Sequence, residues 1–590
     1  MAALSAIAMV GNASLGSPSN CSAVLSPPCN VSAEKQRRFS RSRCFFPFVA
    51  SVLETKNEAE KYRKDKTRSV LNNRRRPSIT SVVTNLSWCS TSSAAEIGGR
   101  RHGAYAQGAS LRDQAEASSV SLVSPSTPDL FLLDLASKIE DSLAEGDDLG
   151  NDVLARLREE ATEATLGCRW PTNKDEAYRF TDVKFLKLAN IVPVNSSSES
   201  SFNPESLNLP ESEGSRLVFI DGVLSKTLSR VDNLPEGVIV GSISSIPQEA
   251  VRKFVLPRLS GVAERSQRDV FACLNGVGAR DLVVVIVPAG VKVTKPLYVL
   301  YYSSSQGSPS SSSSVASSEN SSYALSNPRL LVTVGKDSEL DFVEDFSGAP
   351  ESLYWSNSVC EIEIHERGRV GHSYVQEQSR HAVHIRQTYV SQVEASSYKL
   401  VEAVFGGRLS RHNLHIQQLG PDTVTEMSTF LLAGRKQLHD LHSKLVLDHP
   451  RGISRQLHKC IVSDSSGHGV FDGNVRVNRL AQQTDAGQLS RNLLLAPRAT
   501  VNVKPNLQII ANDVKCSHGA AISDLEEEQL FYFRARGIDA MTARSALVFS
   551  FGAEVLQKLE GAGLRKRVES LVKNSLAEEG YMNPELAVTI

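Results

Sequence analysis

The string Asp513-Val514-Lys515-Cys516-Ser517-His518-Gly519 gathers the residue types best suited to chemistry in this 590-residue chain. Cys516 and His518 are two positions apart, so an extended backbone places both side chains on one face. An imidazole and the Lys515 ammonium beside a thiol favour the thiolate, the form that binds metal or attacks a carbonyl. The competing reading of the same Cys516 is a buried, inert thiol. A second group, His439, Asp440, His442, His449 and His458, has the composition of a metal site. His439 and His442, however, are three apart and so lie on opposite faces of a strand. Several of these imidazoles occupy the polar slots of alternating runs, which reads as solvated strand faces.

Other chemistry is excluded by spacing. No G-x-x-x-x-G-K-[ST] string occurs; Val334-Gly335-Lys336-Asp337 lacks the upstream glycine and the following hydroxyl, so the chain has no nucleotide cradle of that kind. G-x-S-x-G and G-x-G-x-x-G are missing as well. The cysteines at 21, 29, 44, 89, 168, 273, 360, 460 and 516 form no C-x-x-C, which removes a ferredoxin cluster motif and a zinc ribbon. Scattered thiols in odd number suit a reducing compartment.

Lys plus Arg and Asp plus Glu balance at 65 each, which excludes a uniformly basic nucleic-acid binder. The balance hides an asymmetry. Residues 1–90 hold 14 basic and 5 acidic residues, leaving 65 − 14 = 51 basic and 65 − 5 = 60 acidic in the rest. The first 33 residues contain no acid, and Arg clusters sit among Ser and Thr. This composition matches an organellar transit peptide, and the early Ala and Ser point to the chloroplast, with cleavage expected between 80 and 110. The longest apolar run, Leu282 to Val291, is far short of the roughly 18 residues a membrane helix needs and contains Pro288 and Gly290, so no membrane insertion is expected.

The elements that must position Cys516 and His518 change period along the chain. Leu132, Leu135, Ile139 and Leu143 share one helical face, and a second helix is predicted from about Asp152 to Ala164. From about Leu217 the period becomes two. Short alternating runs then follow every ~8–14 residues to 515, punctuated by glycine. That pattern suits a sandwich, a barrel or a stacked solenoid, with the solenoid favoured because it grows by adding rungs. After 515 the helical period returns: Ser523-x-x-Glu526 has the form of a capping box, Gly537 ends a helix, and Leu547, Phe551, Val555 and Leu559 form one stripe. The expected organisation is a leader at 1–90, an N-terminal helical domain at 91–215 and a β-helix core at 216–515. A Ser-rich insert interrupts that core at 303–322, and a C-terminal helical domain follows at 516–590. The fold class is mainly β with flanking α.

Several phrases carry a family resemblance: Ser410-Arg411-His412-Asn413-Leu414, Leu447-Asp448-His449-Pro450, Val470-Phe471-Asp472-Gly473, Lys504-Pro505-Asn506-Leu507 and, most specific, NDVKCSHGAAISDLEEEQLFYFRARGI at 512–538. PTNKDEAYRFTDV, from 171, extends the likeness to the N-terminal helices. The chain resembles SufD, a subunit of the SUF iron–sulfur cluster assembly machinery, in a plant plastid form. The resemblance implies a right-handed parallel β-helix between helical domains and a non-catalytic scaffold subunit in the chloroplast stroma. A SufB-like partner would dock through the β-helix. A SufC ATPase would dock through the C-terminal helices around Leu530, Phe533, Leu547 and Phe551, which agrees with the missing nucleotide motif. His518 would lie at the SufB interface with Cys516 as a nearby thiol, sharing a transient iron–sulfur cluster or iron with the partner. Two alternatives remain open. A SufB-like primary scaffold should carry more cysteines along the strands than Cys360 and Cys460. A β-helix carbohydrate-active enzyme should carry clustered carboxylates in a groove.

Overall fold

The computed structural model describes residues 129–144, 152–194, 214–259, 269–304 and 322–581. The expected leader at 1–90, its cleavage window and most of the Ser-rich insert lie outside the described residues.

Twenty-one strands occur among the described residues, from β1 (Asn190–Pro193) to β21 (Lys515–Ser523). From β8 (Arg329–Val334) onward they alternate between two sheets, even-numbered strands in the first and odd-numbered in the second, with parallel pairing throughout. The result is a mainly β chain built on a parallel solenoid of about seven turns, with helices at both ends. The alternation seen in the sequence sets its inside and outside: in β18 (His468–Val477), Phe471, Val475 and Val477 are buried in the core while Arg476 is exposed. The corners between sheets stack on one another. Arg367, Ala395, Asp422, Arg451 and Gln483 all take left-handed φ of 55–61°, a conformation that costs a non-glycine residue about 1–3 kcal/mol. Each corner N–H donates to the carbonyl of the next turn, as Arg367 does to Glu394 at 3.0 Å and Asp422 to Pro450 at 3.1 Å, which offsets that cost.

Helices cover both outer faces. On the first sheet lie α1 (Leu130–Ala144), α2 (Asp152–Leu166) and α3 (Val270–Val277). Phe271 of α3 sits edge-on between Trp170 and Trp355, with ring centroids 5.4 and 5.9 Å away. The 171–188 segment docks the same layer: Arg411 lies 3.9 Å over the Tyr178 ring, and Thr181 donates to buried Asp440 at 2.5 Å. On the second sheet lie α4 (Glu527–Arg534), α5 (Ala540–Leu556) and α6 (Ala562–Glu578). Lys459, fully buried on the outer face of that sheet, pairs with Glu554 of α5, and Arg567 of α6 reaches Asp345 at 2.8 Å.

Four expectations change. Strands begin at Asn190, before the expected boundary, and α3 interrupts the segment assigned to strands. Every residue of α3 is buried, and a short, largely apolar run such as VFACLNGV does not separate a buried helix from a strand. The solenoid runs to Ser523, which places Cys516 and His518 inside its last strand and not in the C-terminal helical domain. The Ser523–Glu526 box does not form: Glu526 itself is the N-cap of α4, without a side-chain cap bond.

Candidate functional site at the open end of the solenoid

The last rung of the second sheet builds the site. In register, Cys516 and His518 of β21 stand over Ala486 and Gln488 of β19 (Asp485–Leu494). Gln488 in turn stands over Gln456 of β17 (Ile453–Val462), and its Nε2 donates to Gln456 Oε1 at 2.8 Å. Ala486, Gln456 and Gln488 are buried, so Cys516 and His518 share the inward parity that their spacing predicts. No further strand covers them: β20 (Thr500–Ile509) pairs only with β18 and β21 only with β19 among the described residues. His518 is therefore exposed and Cys516 partly so. His518 lines a cleft of about 520 Å³ together with Arg455, Gln488, Ser517, Glu554 and Lys558; Cys516 lies outside it.

The expected low thiol pKa does not arise. Partial burial pushes the Cys516 thiol up, and nearby Asp485 adds to that, while a backbone hydrogen bond from Ala486 opposes it. Lys515 points to the other side of the strand, where it acts on Asp485.

This end exposes large apolar side chains among polar ones, and its strand edges are unpaired among the described residues. Ile509, Ile510 and Ile522 are 45%, 50% and 52% exposed. Unpaired strand edges beside exposed large side chains form a template for another chain.

The histidines read as solvated strand faces are corrected by burial. His439 and His458 are buried, as are His372, His384 and His412. The solenoid interior carries a file of polar groups that the sequence reading missed. Glu344 holds Arg386 across the lumen and accepts from His372 at 3.0 Å, whose other ring nitrogen meets Tyr398 Oη at 2.9 Å. Further along, His412 lies 3.1 Å from Glu402, and Thr429 meets His458 Nδ1 at 2.9 Å. The Arg386 guanidinium pulls Glu344 down to about 2 against burial, which acts the other way. Among the described residues His458 has no charged partner, and burial pushes it down to about 3. The one available signal was parity: His372, Tyr374 and His458 fall on the same face as apolar residues of their strands. His442 lies outside the lumen, between Asp440 at 3.0 Å and Asp472 at 3.9 Å. Among the described residues, no group of three or more His, Cys, Asp and Glu is arranged to hold a metal ion.

The C-terminal expectations divide. Leu547 and Phe551 are buried in the chain's own core, where α5 covers the second sheet, so they hold the helix and present nothing to a partner. Leu530 and Phe533 are partly buried against that core. The exposed apolar residues are neighbours the stripe did not include: Phe531, 70% exposed, with Tyr532 and Met541. Tyr532 carries the Arg536 guanidinium 3.6 Å over its ring.

Comparison with known proteins agrees with this geometry. Residues 315–551 match the "SUF system FeS cluster assembly, SufBD core domain" family, and residues 133–299 match the "SufBD protein N-terminal region". The chain is 47% identical over 449 residues to the chloroplastic protein ABCI7 of Arabidopsis thaliana, covering 76% of this chain and 91% of that protein. It is 34% identical to an iron–sulfur cluster assembly SufBD family protein of Synechocystis, covering 72% of this chain and 91% of that protein. It is 28% identical to the iron–sulfur cluster assembly protein SufD of Escherichia coli, covering 68% and 87%.

Proposed function

Because the chain belongs to the SufBD family of iron–sulfur cluster assembly proteins, and is SufD-like with a chloroplastic relative, we propose that it is the non-catalytic SufD subunit of a stromal SufB–SufC–SufD scaffold. The observation that carries this reading is the position of His518, inward-facing in the last rung yet left uncovered by the described residues of its own chain.

A SufB-like subunit seated on β20 and β21 would pair the open edges and cover Ile509, Ile510 and Ile522. The iron or cluster is cargo. A neutral imidazole offers one lone pair to iron, and Cys516 lies on the next inward position. Two donors are too few for a stable cluster, so the remaining ligands come from the sister chain, and shared ligands let the cluster leave. Cys360 and Cys460 are fully buried with thiols pushed up by burial, which argues against the alternative of a primary scaffold with thiols along its length. For the SufC ATPase, the exposed Phe531, Tyr532 and Met541 form the docking patch, with Leu530 and Phe533 beneath it.

The test is anaerobic co-expression with and without this chain, followed by iron and acid-labile sulfide analysis of the purified complex. Co-purification and a fall in both contents when the chain is withheld support the reading. Equal loading without it contradicts the reading.

A further inference from the structure

Two thiols of the N-terminal helical layer face each other. Cys168 follows α2, Cys273 lies in α3, and although 105 positions separate them in sequence their Sγ atoms are 3.8 Å apart. Both residues are buried and reduced. Their surroundings hold them there. A Cβ on Gly276 would stand 2.5 Å from the Cβ of Ala161, so α2 and α3 meet at glycine distance. Asp269 caps α3, accepting from the Phe271 and Ala272 N–H groups at 2.9 and 3.2 Å, and it also accepts from Gln387 of the solenoid at 2.9 Å. Beside Cys168, the Trp170 backbone N–H donates to Asp129 at 3.0 Å and its indole to the Val183 carbonyl at 3.2 Å.

We propose that Cys168 and Cys273 are a modification site: a thiol pair that closes to a reversible disulfide and locks the N-terminal helical layer. A disulfide needs about 2.05 Å between sulfurs, so less than 2 Å of approach separates the present geometry from the bond, within reach of side-chain rotation. Access is one-sided. Cys168 lines a cleft of about 600 Å³ between residues 167–178 and the outer face of the first sheet, with Tyr178, His415 and Lys504 among its walls. Cys273 is not among those walls. A small peroxide entering there meets Cys168 first. The Cys168 thiolate attacks a peroxide oxygen, the O–O bond breaks, and hydroxide leaves, giving the sulfenic acid. The Cys273 thiolate then attacks that sulfur, forming the S–S bond and expelling a second hydroxide. The two thiol protons convert both hydroxides to water, and a dithiol reductant reverses the bond by exchange. The link would join residues on either side of the 195–213 and 260–268 segments and close a loop of 105 positions, which restricts the unfolded chain.

The experiment treats the full chain with hydrogen peroxide and maps peptides without reduction. A Cys168–Cys273 linked peptide pair is expected, reversed by dithiothreitol, together with a rise of about 5 °C in the melting midpoint. Cys168→Ser and Cys273→Ser should each abolish the link and the rise. Peroxide that drives Cys168 to sulfinic acid without a linked peptide overturns the proposal. So does a midpoint that rises equally in the variants.

Discussion

His518 stands directly over Gln488 in the register of the last two rungs, and the 2.8 Å Gln488–Gln456 hydrogen bond carries the same column into the lumen. Every earlier position in that column is closed by the rung that follows. Among the described residues, His518 is the one in this column with no following rung, which leaves its imidazole accessible.

The Glu344–Arg386 pair, fully buried between the two sheets, is expected to be costly to break. Arg386→Leu alone should destabilise the chain by about 3–5 kcal/mol, because it strands a buried carboxylate. Glu344→Leu together with Arg386→Leu should recover much of that loss. Urea unfolding decides; a single-variant cost below about 1 kcal/mol would contradict the network as described.

Acid should weaken the fold through two buried groups. His458 sits at about 3 when folded, and unfolded histidine titrates near 6.5. Between those values the unfolded chain binds the extra proton, so stability climbs from about pH 3 and is fully present only above about 6.5. Glu344, at about 2 when folded against 4.5, contributes stability present above 4.5 and lost as pH falls toward 2. Urea midpoints at pH 7, 5.5 and 4.5 should fall in that order. His458→Gln should flatten the drop above pH 4.5 by up to about 1.4 kcal/mol per pH unit; an unchanged slope would remove His458 from the account.

The Cys516 thiol, raised by partial burial, should alkylate slowly at pH 7 and faster above pH 9. Lys515→Ala should leave the rate nearly unchanged. Rapid labelling at pH 7 that depends on Lys515 would restore the activated-thiolate reading.

In the C-terminal helices, burial separates holding from docking. Leu547→Ala should cost about 2–5 kcal/mol of stability by opening a cavity under α5. Phe531→Asp, on an exposed side chain, should leave the melting midpoint in place while weakening capture of the ATPase subunit at least tenfold, about 1.4 kcal/mol. Pull-down beside thermal unfolding separates the two outcomes, and full retention by Phe531→Asp would move the docking patch elsewhere.

The short strands were legible in the sequence through their two-residue alternation, as His468–Val477 illustrates; alternation suits a sandwich, a barrel or a solenoid alike, and the β-helix was what the family resemblance implied. The parity of Cys516 and His518 was legible from the same two-residue period. What was not legible follows from tertiary context. Polar residues such as His372, Glu344 and His458 sit inside because partners satisfy them there: a carboxylate or hydroxyl on the neighbouring rung of the same sheet for the two histidines, and Arg386 of the opposite sheet for Glu344. Residue type alone assigns such groups to solvent, although their parity with apolar neighbours points inward. Leu547 and Phe551 form a stripe whether they face a partner or their own sheet, and only the packed chain distinguishes the two. The two readings of Cys516 could not be separated in the sequence, because its adjacent lysine, close along the chain, points away across the strand.

The most direct measurement is iron and acid-labile sulfide content of the anaerobically purified complex carrying His518→Ala. Intact subunit stoichiometry with cluster loading reduced at least tenfold is the expected result. Unchanged loading in a fully assembled complex would contradict the role assigned to that imidazole.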